Sequence, residues 1–281
     1  MALGMRPLGK TGREVGILGL GGEGVLRTYG YEPEARELIA RALDMGITYM
    51  ESARAYLGSE SYYGKALGER RSEVFLASKS HAREAKEARE HLETTLGSMR
   101  TDYLDLWQLH DMRSMEEVDR VLAPGGALEA FAEARRQGLV RFVGVTGHHD
   151  PAVVLACLKG FDFDTVLIPV NPAEHAYRSF LADVLPFARR SNVGVIGMKV
   201  YLRGLVSGLP WFESMEPFMR YALSQPVSTV VVGCDDTAQL VENVRFAERF
   251  EPMTDEEASS FEQEVGSYAR ELMYYKPQGT P

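Results

Sequence analysis

Four residues, none adjacent to another in the chain, Glu51, Tyr56, Lys79 and His110, are of the types that can move a proton to a carbonyl oxygen. An isolated phenol, with a pKa of about 10, is a slow acid at neutral pH. A neighbouring ammonium favours the phenolate, so Lys79 beside Tyr56 is expected to lower that value, and Glu51 to hold Lys79 charged and aimed. His110 can donate to the oxygen as charge develops on it. None of these side chains can supply hydride, so a reduction would draw it from a cofactor. Taken singly, each has an ordinary structural role. Glu51 can cap a turn, Lys79 can be a solvated surface lysine, Tyr56 can anchor its loop and His110 can be a hydrogen-bonded structural histidine. Convergence alone gives them chemistry, and that depends on the elements that carry them.

Those elements alternate. Short apolar runs at 14–20, 46–50, 72–78, 102–109, 140–145, 163–168, 193–198 and 228–233 read as strands. Helical spacing fills 34–45, 59–68, 83–97, 127–138, 150–160, 177–190, 211–223 and 236–250. Pro33 suits a first helical turn, Asp150-Pro151 suits an N-cap followed by a first-turn proline, and Gly138 and Gly160 fall where helices should stop. Eight mostly continuous apolar strands, each followed by a helix, predict an α/β fold with a closed parallel sheet, the (β/α)8 TIM barrel. RPLGKTG predicts an N-terminal hairpin that plugs the barrel floor, and 251–275 an additional C-terminal helix. Residues 1–281 read as one barrel domain, with 251–281 an extension packed on it. In such a barrel the active site forms at the C-terminal strand ends. Glu51, Lys79 and His110 fall at three consecutive ends, and the loop after the first brings Tyr56 back over the mouth.

Composition narrows the partners. Among 281 residues, 45 % are hydrophobic, enough for one large core, and 40 acidic against 31 basic residues give −9. That balance argues against a broad nucleic-acid face or an anionic-membrane face. Cys157 and Cys234 are too few for a disulfide framework or cysteine-built metal cluster and suit a reducing compartment. No segment approaches the roughly 20 apolar residues of a membrane span, so a soluble cytoplasmic protein is expected. Oligomeric state is not readable from these features.

These fragments together resemble the aldo/keto reductase family across about residues 6 to 248. RPLGKTGREVGILGLG resembles the family's opening hairpin and first strand; GITYMESARAY its strand end and catalytic tyrosine; VFLASK and DYLDLWQLH the strands delivering its lysine and histidine. VRFVGVTG, FDTVLIPVN and VVVGCDDTAQLVENV match later landmarks in order. The resemblance implies NAD(P)H-dependent reduction of an aldehyde or ketone, with Tyr56 as proton donor, Lys79 paired to Glu51, and His110 orienting the carbonyl. Glu51 stands where the family pattern has aspartate, adding about 1.5 Å of reach while keeping the charge.

The resemblance also places a nicotinamide dinucleotide across the mouth, NADPH ahead of NADH, near Thr146, Lys199, Gly233, Cys234, Asp235, Asp236, Gln239, Glu242 and Asn243. Neither a strand-linked GxGxxG fingerprint nor a Walker A motif is present. Thr146-Gly147, Leu167 and Met198 depart from the family's ring-binding residues; His148 and His149 either compensate for the carboxamide contact or simply open the next loop. A metal held by His110, His148 and His149 is not expected, because no carboxylate at suitable strand ends completes a clear ligand set. The connections 111–126 and 201–212 are expected to overhang the site, with Met112, Trp211 and Phe212 forming an apolar wall or packing helices. The rival reading is a nicotinamide-binding regulatory or interaction protein on the same scaffold, since fold alone does not imply activity.

Overall fold

The computed structural model describes residues 3–277. An antiparallel hairpin opens the chain, β1 (Met5–Pro7) and β2 (Glu14–Gly16), joined through a 3-10 turn at Gly9–Thr11. Eight parallel strands follow: β3 (Leu18–Gly24), β4 (Tyr49–Glu51), β5 (Phe75–Ser80), β6 (Leu104–Leu109), β7 (Val140–Thr146), β8 (Thr165–Pro169), β9 (Gly194–Met198) and β10 (Thr229–Cys234). They close in chain order, with β10 pairing back onto β3. The predicted barrel is therefore the one formed. The 14–20 run is not one strand, however: Glu14–Gly16 belongs to the hairpin, and the barrel strand starts at Leu18 and continues to Gly24.

Helices α1 (Glu32–Asp44), α2 (Ser59–Ala66), α3 (Ala85–Met99), α4 (Met115–Leu122), α5 (Ala127–Arg136), α6 (Pro151–Gly160), α7 (Phe180–Arg190), α8 (Glu216–Ser224) and α9 (Thr237–Glu248) follow the strands. The extension holds two helices rather than one, α10 (Asp255–Gly266) and α11 (Ala269–Leu272). Local signals set several starts. Asp150 accepts from Ala152 N ahead of Pro151, Ser179 from Ala182 N, and Thr254 and Glu257 form a reciprocal capping box.

Strand periodicity divides the core into two layers. Met50, Trp107 and Leu109 face the helices, where Trp107 stacks on Phe131 at 3.7 Å. Tyr49, Phe75, Ala77 and Leu106 face inward with Leu8, Val15, Leu167, Ile196 and Val231. Leu8, brought by the hairpin, is fully buried in that inner layer and seals the floor. Two residues above the inward-facing Tyr49 stands Glu51; two above Ala77 stands Lys79; four above Leu106 stands His110. The same period that fills the barrel with apolar rings thus delivers three polar side chains to its top. Among the described residues no helix is long and apolar enough to cross a membrane.

Candidate active site

Register aligns the polar layer: Glu51 pairs with Ala77 across β4 and β5, and Lys79 with Gln108 across β5 and β6. Lys79 Nζ donates to Glu51 Oε1 at 2.7 Å and to the Ser52 carbonyl at 2.9 Å. With Lys79 1 % and Glu51 4 % exposed, this ion pair is dry. Removing either charge would strand the other away from water. The longer glutamate therefore reaches the lysine here.

Tyr56 lies over this pair, its ring centre 5.3 Å from Lys79 Nζ, and meets the His110 ring edge-on at 6.1 Å. The fold brings all four together. Its electrostatics differ from the simple expectation. Burial, followed by the Glu23 and Glu51 carboxylates, holds the Tyr56 phenol well above its ordinary value, against the opposing charge of Arg27. The Lys79 ammonium is turned onto Glu51 and the Ser52 carbonyl. Burial and then Lys79 hold His110 well below its usual value, so the imidazole is neutral.

Glu23 and Arg27 are the functional candidates that sequence reading missed. Glu23 sits near the end of β3, four residues from Arg27, with which it forms an ion pair; Arg27 in turn lies 5.1 Å from the Tyr56 ring centre. A strand boundary drawn at Gly24 would have found Glu23 by the same strand-end rule that found Lys79. Room for Tyr56 comes from Gly22, where a Cβ would stand 2.4 Å from Ser59 Oγ and 3.0 Å from both the Glu51 carbonyl and Tyr56 Cδ2. Gly22→Ala is expected to destabilise the fold by about 1–3 kcal/mol through overpacking. Chemical denaturation measures this, and an unchanged midpoint would mean that the Tyr56 loop yields freely.

The residues proposed for a dinucleotide fall into two groups. Gly233, Cys234, Asp235, Asp236, Gln239, Glu242 and Asn243 form the corner between β10 and α9. Asp236 caps α9 by accepting from Gln239 N at 2.8 Å, and Gln239 Oε1 accepts from Asp235 N at 2.9 Å. Asn243 is buried, donating weakly to Cys234 Sγ and accepting from Tyr201 Oη at 2.6 Å, which ties the loop after β9 to α9. Glu242 is exposed. In that loop Lys199, Leu202 and Arg203 all adopt positive φ, a strained path of the kind found at ligand sites. Lys199 and Arg203 join Arg27 around Glu23, a cationic rim with one internal carboxylate. Thr146 lies on the other side of the mouth, where its hydroxyl accepts from Asp111 N at 2.8 Å.

The surrounding walls come partly from the C-terminal segment. Tyr274 Oη accepts from Lys199 Nζ at 3.2 Å. Tyr275 donates to the buried Glu174 at 2.6 Å and accepts from Asn171, while Lys276 ion-pairs with Glu174 at 2.9 Å. Met112 is instead fully buried, and Trp211 stacks over Phe218 and meets Phe261, so both serve packing. Leu167 is buried in the inner barrel layer beside the partly buried Met198.

A closed parallel barrel with a buried lysine–carboxylate pair, a tyrosine and a neutral histidine at its mouth defines a barrel of the oxidoreductase class. The profile of the Aldo/keto reductase family matches residues 15–210, and the chain belongs to that family. It is 25 % identical to L-galactose dehydrogenase of Arabidopsis thaliana over 85 % of this chain and 86 % of that protein. An uncharacterized oxidoreductase of Bacillus subtilis, YqkF, is 23 % identical over 86 % and 90 % of the two chains. Among solved structures, aldo-keto reductase AKR11C1 from Bacillus halodurans in its holo form superposes with a TM-score of 0.79 at 24 % identity, covering 93 % of this chain and 96 % of that one. An aldo-keto reductase from Klebsiella pneumoniae in complex with NADPH gives 0.78 at 18 % identity, covering 100 % and 98 %. The family's chemistry is the reduction of small carbonyl compounds with nicotinamide cofactors.

Proposed function

We propose that this protein reduces a small aldehyde or ketone, with Tyr56 as proton donor, His110 orienting the carbonyl oxygen, and Lys79, held by Glu51, supporting Tyr56. The observation that carries this reading is the dry Lys79–Glu51 pair beneath the Tyr56 ring, with His110 edge-on to it. The phenol's high pKa keeps Tyr56 protonated throughout the neutral range. An alkoxide is more basic than a phenolate, so proton transfer from Tyr56 to the nascent alcohol remains downhill. Neutral His110 has one ring nitrogen available to donate to the carbonyl oxygen, and its Nδ1 is buried with no protein partner. The low pKa keeps it from competing with Tyr56 as an acid.

The cofactor assigned is NADPH, with NADH the alternative; when bound, it supplies the hydride. Arg27, Lys199 and Arg203 suit its anionic centre, and Thr146 together with Gly233, Cys234, Asp235, Asp236, Gln239, Glu242 and Asn243 are the further proposed contacts. The NADPH in the Klebsiella pneumoniae neighbour supports the choice, whereas exposed Asp235 and Asp236 favour the unphosphorylated form. A carbonyl panel assayed with both cofactors is the test. Carbonyl-dependent oxidation of NADPH is expected; dinucleotide binding with no turnover on any carbonyl would support a regulatory protein instead.

Binding should also respond to pH. Burial, then the charge of Arg203, pushes Lys199 down to about 8. Its ammonium is present near neutrality and is lost as pH rises through that value. Losing one charge-assisted contact should weaken dinucleotide affinity by about tenfold between roughly pH 7 and pH 9. In Lys199→Met the affinity should already be low and this dependence flattened. Fluorescence titration of both proteins measures it, and parallel pH profiles would remove Lys199 from the binding surface.

A further inference from the structure

Asp111, His148 and His149 converge on the rim of the mouth next to His110. Asp111 directly follows His110 and adopts φ +56°, a left-handed backbone that a non-glycine residue holds only under strain. Two hydrogen bonds from β7 fix it: Asp111 N donates to Thr146 Oγ1 at 2.8 Å, and Met112 N to the Thr146 carbonyl at 2.9 Å. Thus held, Asp111 Oδ1 lies 3.2 Å from His149 Nε2 and 3.4 Å from His148 Nδ1. Asp111 Oδ1 and His149 Nε2 are nevertheless both buried with no partner at hydrogen-bonding geometry. The other carboxylate oxygen is fully engaged, accepting from Arg113 Nη2 at 2.6 Å and Nε at 2.8 Å.

The spacing matches metal coordination. Ligand bonds of about 2.0–2.1 Å in tetrahedral coordination separate the donor atoms by roughly 3.3–3.4 Å. The three donor atoms all lie within 4.8 Å of one another. Arg113 on the outer oxygen is the kind of partner that orients a ligating carboxylate.

We propose that Asp111, His148 and His149 form a three-ligand site for one divalent first-row transition-metal ion. Two imidazoles and one carboxylate suit zinc, cobalt, nickel or ferrous iron rather than calcium or magnesium, which take oxygen ligands. Lys199 and Arg113 oppose any ion held by charge alone, which reinforces that preference for nitrogen-seeking metals. Read along the chain, the neighbouring carboxylate, Asp150, is committed to capping α6 and to Arg178; the left-handed turn after β6 supplies Asp111 instead. The site does not depend on the reductase reading, since its ligands are distinct from Tyr56, Lys79 and Glu51.

A second histidine–carboxylate group, His81, Glu87 and His91, provides the control. It lies towards the surface, and His91 Nδ1 is already engaged by Ser80 Oγ at 2.8 Å. The experiment strips the full chain with a chelator, titrates cobalt(II) while following its visible absorption, and measures zinc retained after desalting. One ion per chain is expected for the wild type and for His91→Ala. The double variant His148→Ala/His149→Ala should bind at least a hundredfold more weakly, and Asp111→Asn or His149→Gln should show reduced retention with the same metal-free unfolding midpoint as wild type. A wild type that retains no stoichiometric zinc overturns the proposal, as does equal retention by the double variant or loss of the ion in His91→Ala.

Discussion

Tyr56→Phe is expected to lower carbonyl turnover by about a hundred- to ten-thousand-fold, the range ascribed to a positioned general acid. The substitution removes one hydroxyl and little else. Lys79 Nζ and the Arg27 guanidinium approach the ring, at 5.3 Å and 5.1 Å from its centre, and phenylalanine keeps those contacts. Dinucleotide affinity should therefore change little, and the loss should appear in the chemical step. Rapid-mixing measurements under single-turnover conditions separate the two. A Tyr56→Phe protein that transfers hydride at the wild-type rate would exclude this residue as the proton donor. The high pKa of the phenol adds a directional expectation: the reduction rate should stay flat as pH rises through the range where an ordinary tyrosine begins to ionise.

Lys79→Met carries the second large effect, and it falls on stability as well as chemistry. Glu51 would remain in a dry site, losing the 2.7 Å contact that balances its charge and keeping only a 3.5 Å approach from Tyr49 Oη. Breaking a buried pair in this way costs about 3–5 kcal/mol. Pairing Lys79→Met with Glu51→Gln should restore much of that stability, because the stranded charge is gone, while turnover stays low. Denaturant unfolding and steady-state assays on the single and double variants measure the two readouts independently. Full recovery of turnover in the double variant would make the pair a packing device only. Glu51→Asp preserves the charge but shortens the reach by about 1.5 Å, so activity should survive without necessarily improving.

Most of the barrel was legible because its strands carry continuous apolar runs and its helices open on recognisable caps. The chemistry-bearing residues were legible where they end such runs: Lys79 and His110 follow FLAS and DLWQL. Strand β3 was the exception. Its LGLGGEG reads as strand giving way to turn, yet pairing continues to Gly24, whose φ of +69° and close approach to the Cys234 carbonyl exclude other side chains. Ending that strand early hid Glu23, whose carboxylate adds to burial in raising the Tyr56 phenol. Pairwise chemistry between Tyr56 and Lys79 was a sound inference from residue types; the competing carboxylates could be weighed only once the mouth was assembled. Residues 274–276 were opaque for a different reason. Their partners Lys199, Asn171 and Glu174 lie far back in the chain, and no local pattern announces contacts of that range.

The floor plug has a consequence for how the molecule is made. Leu8 packs against Ile196 and Val231, Lys10 N donates to the Asn192 carbonyl at 2.8 Å, and a Cβ on Gly9 would stand 2.2 Å from Gly194 N. The hairpin is therefore synthesised well before the surface it binds in β9 and β10. At translation rates of about 5–20 residues per second, the hairpin waits on the order of ten to forty seconds for β9. Until then Leu8 and Val15 have only the inner faces of the earlier strands to pack on, and the curved sheet above them stays open at both its seam and its base. Sealing the floor and joining β10 to β3 thus belong to the same late event, and a nascent chain ending before β9 is an unsealed gutter rather than a smaller barrel.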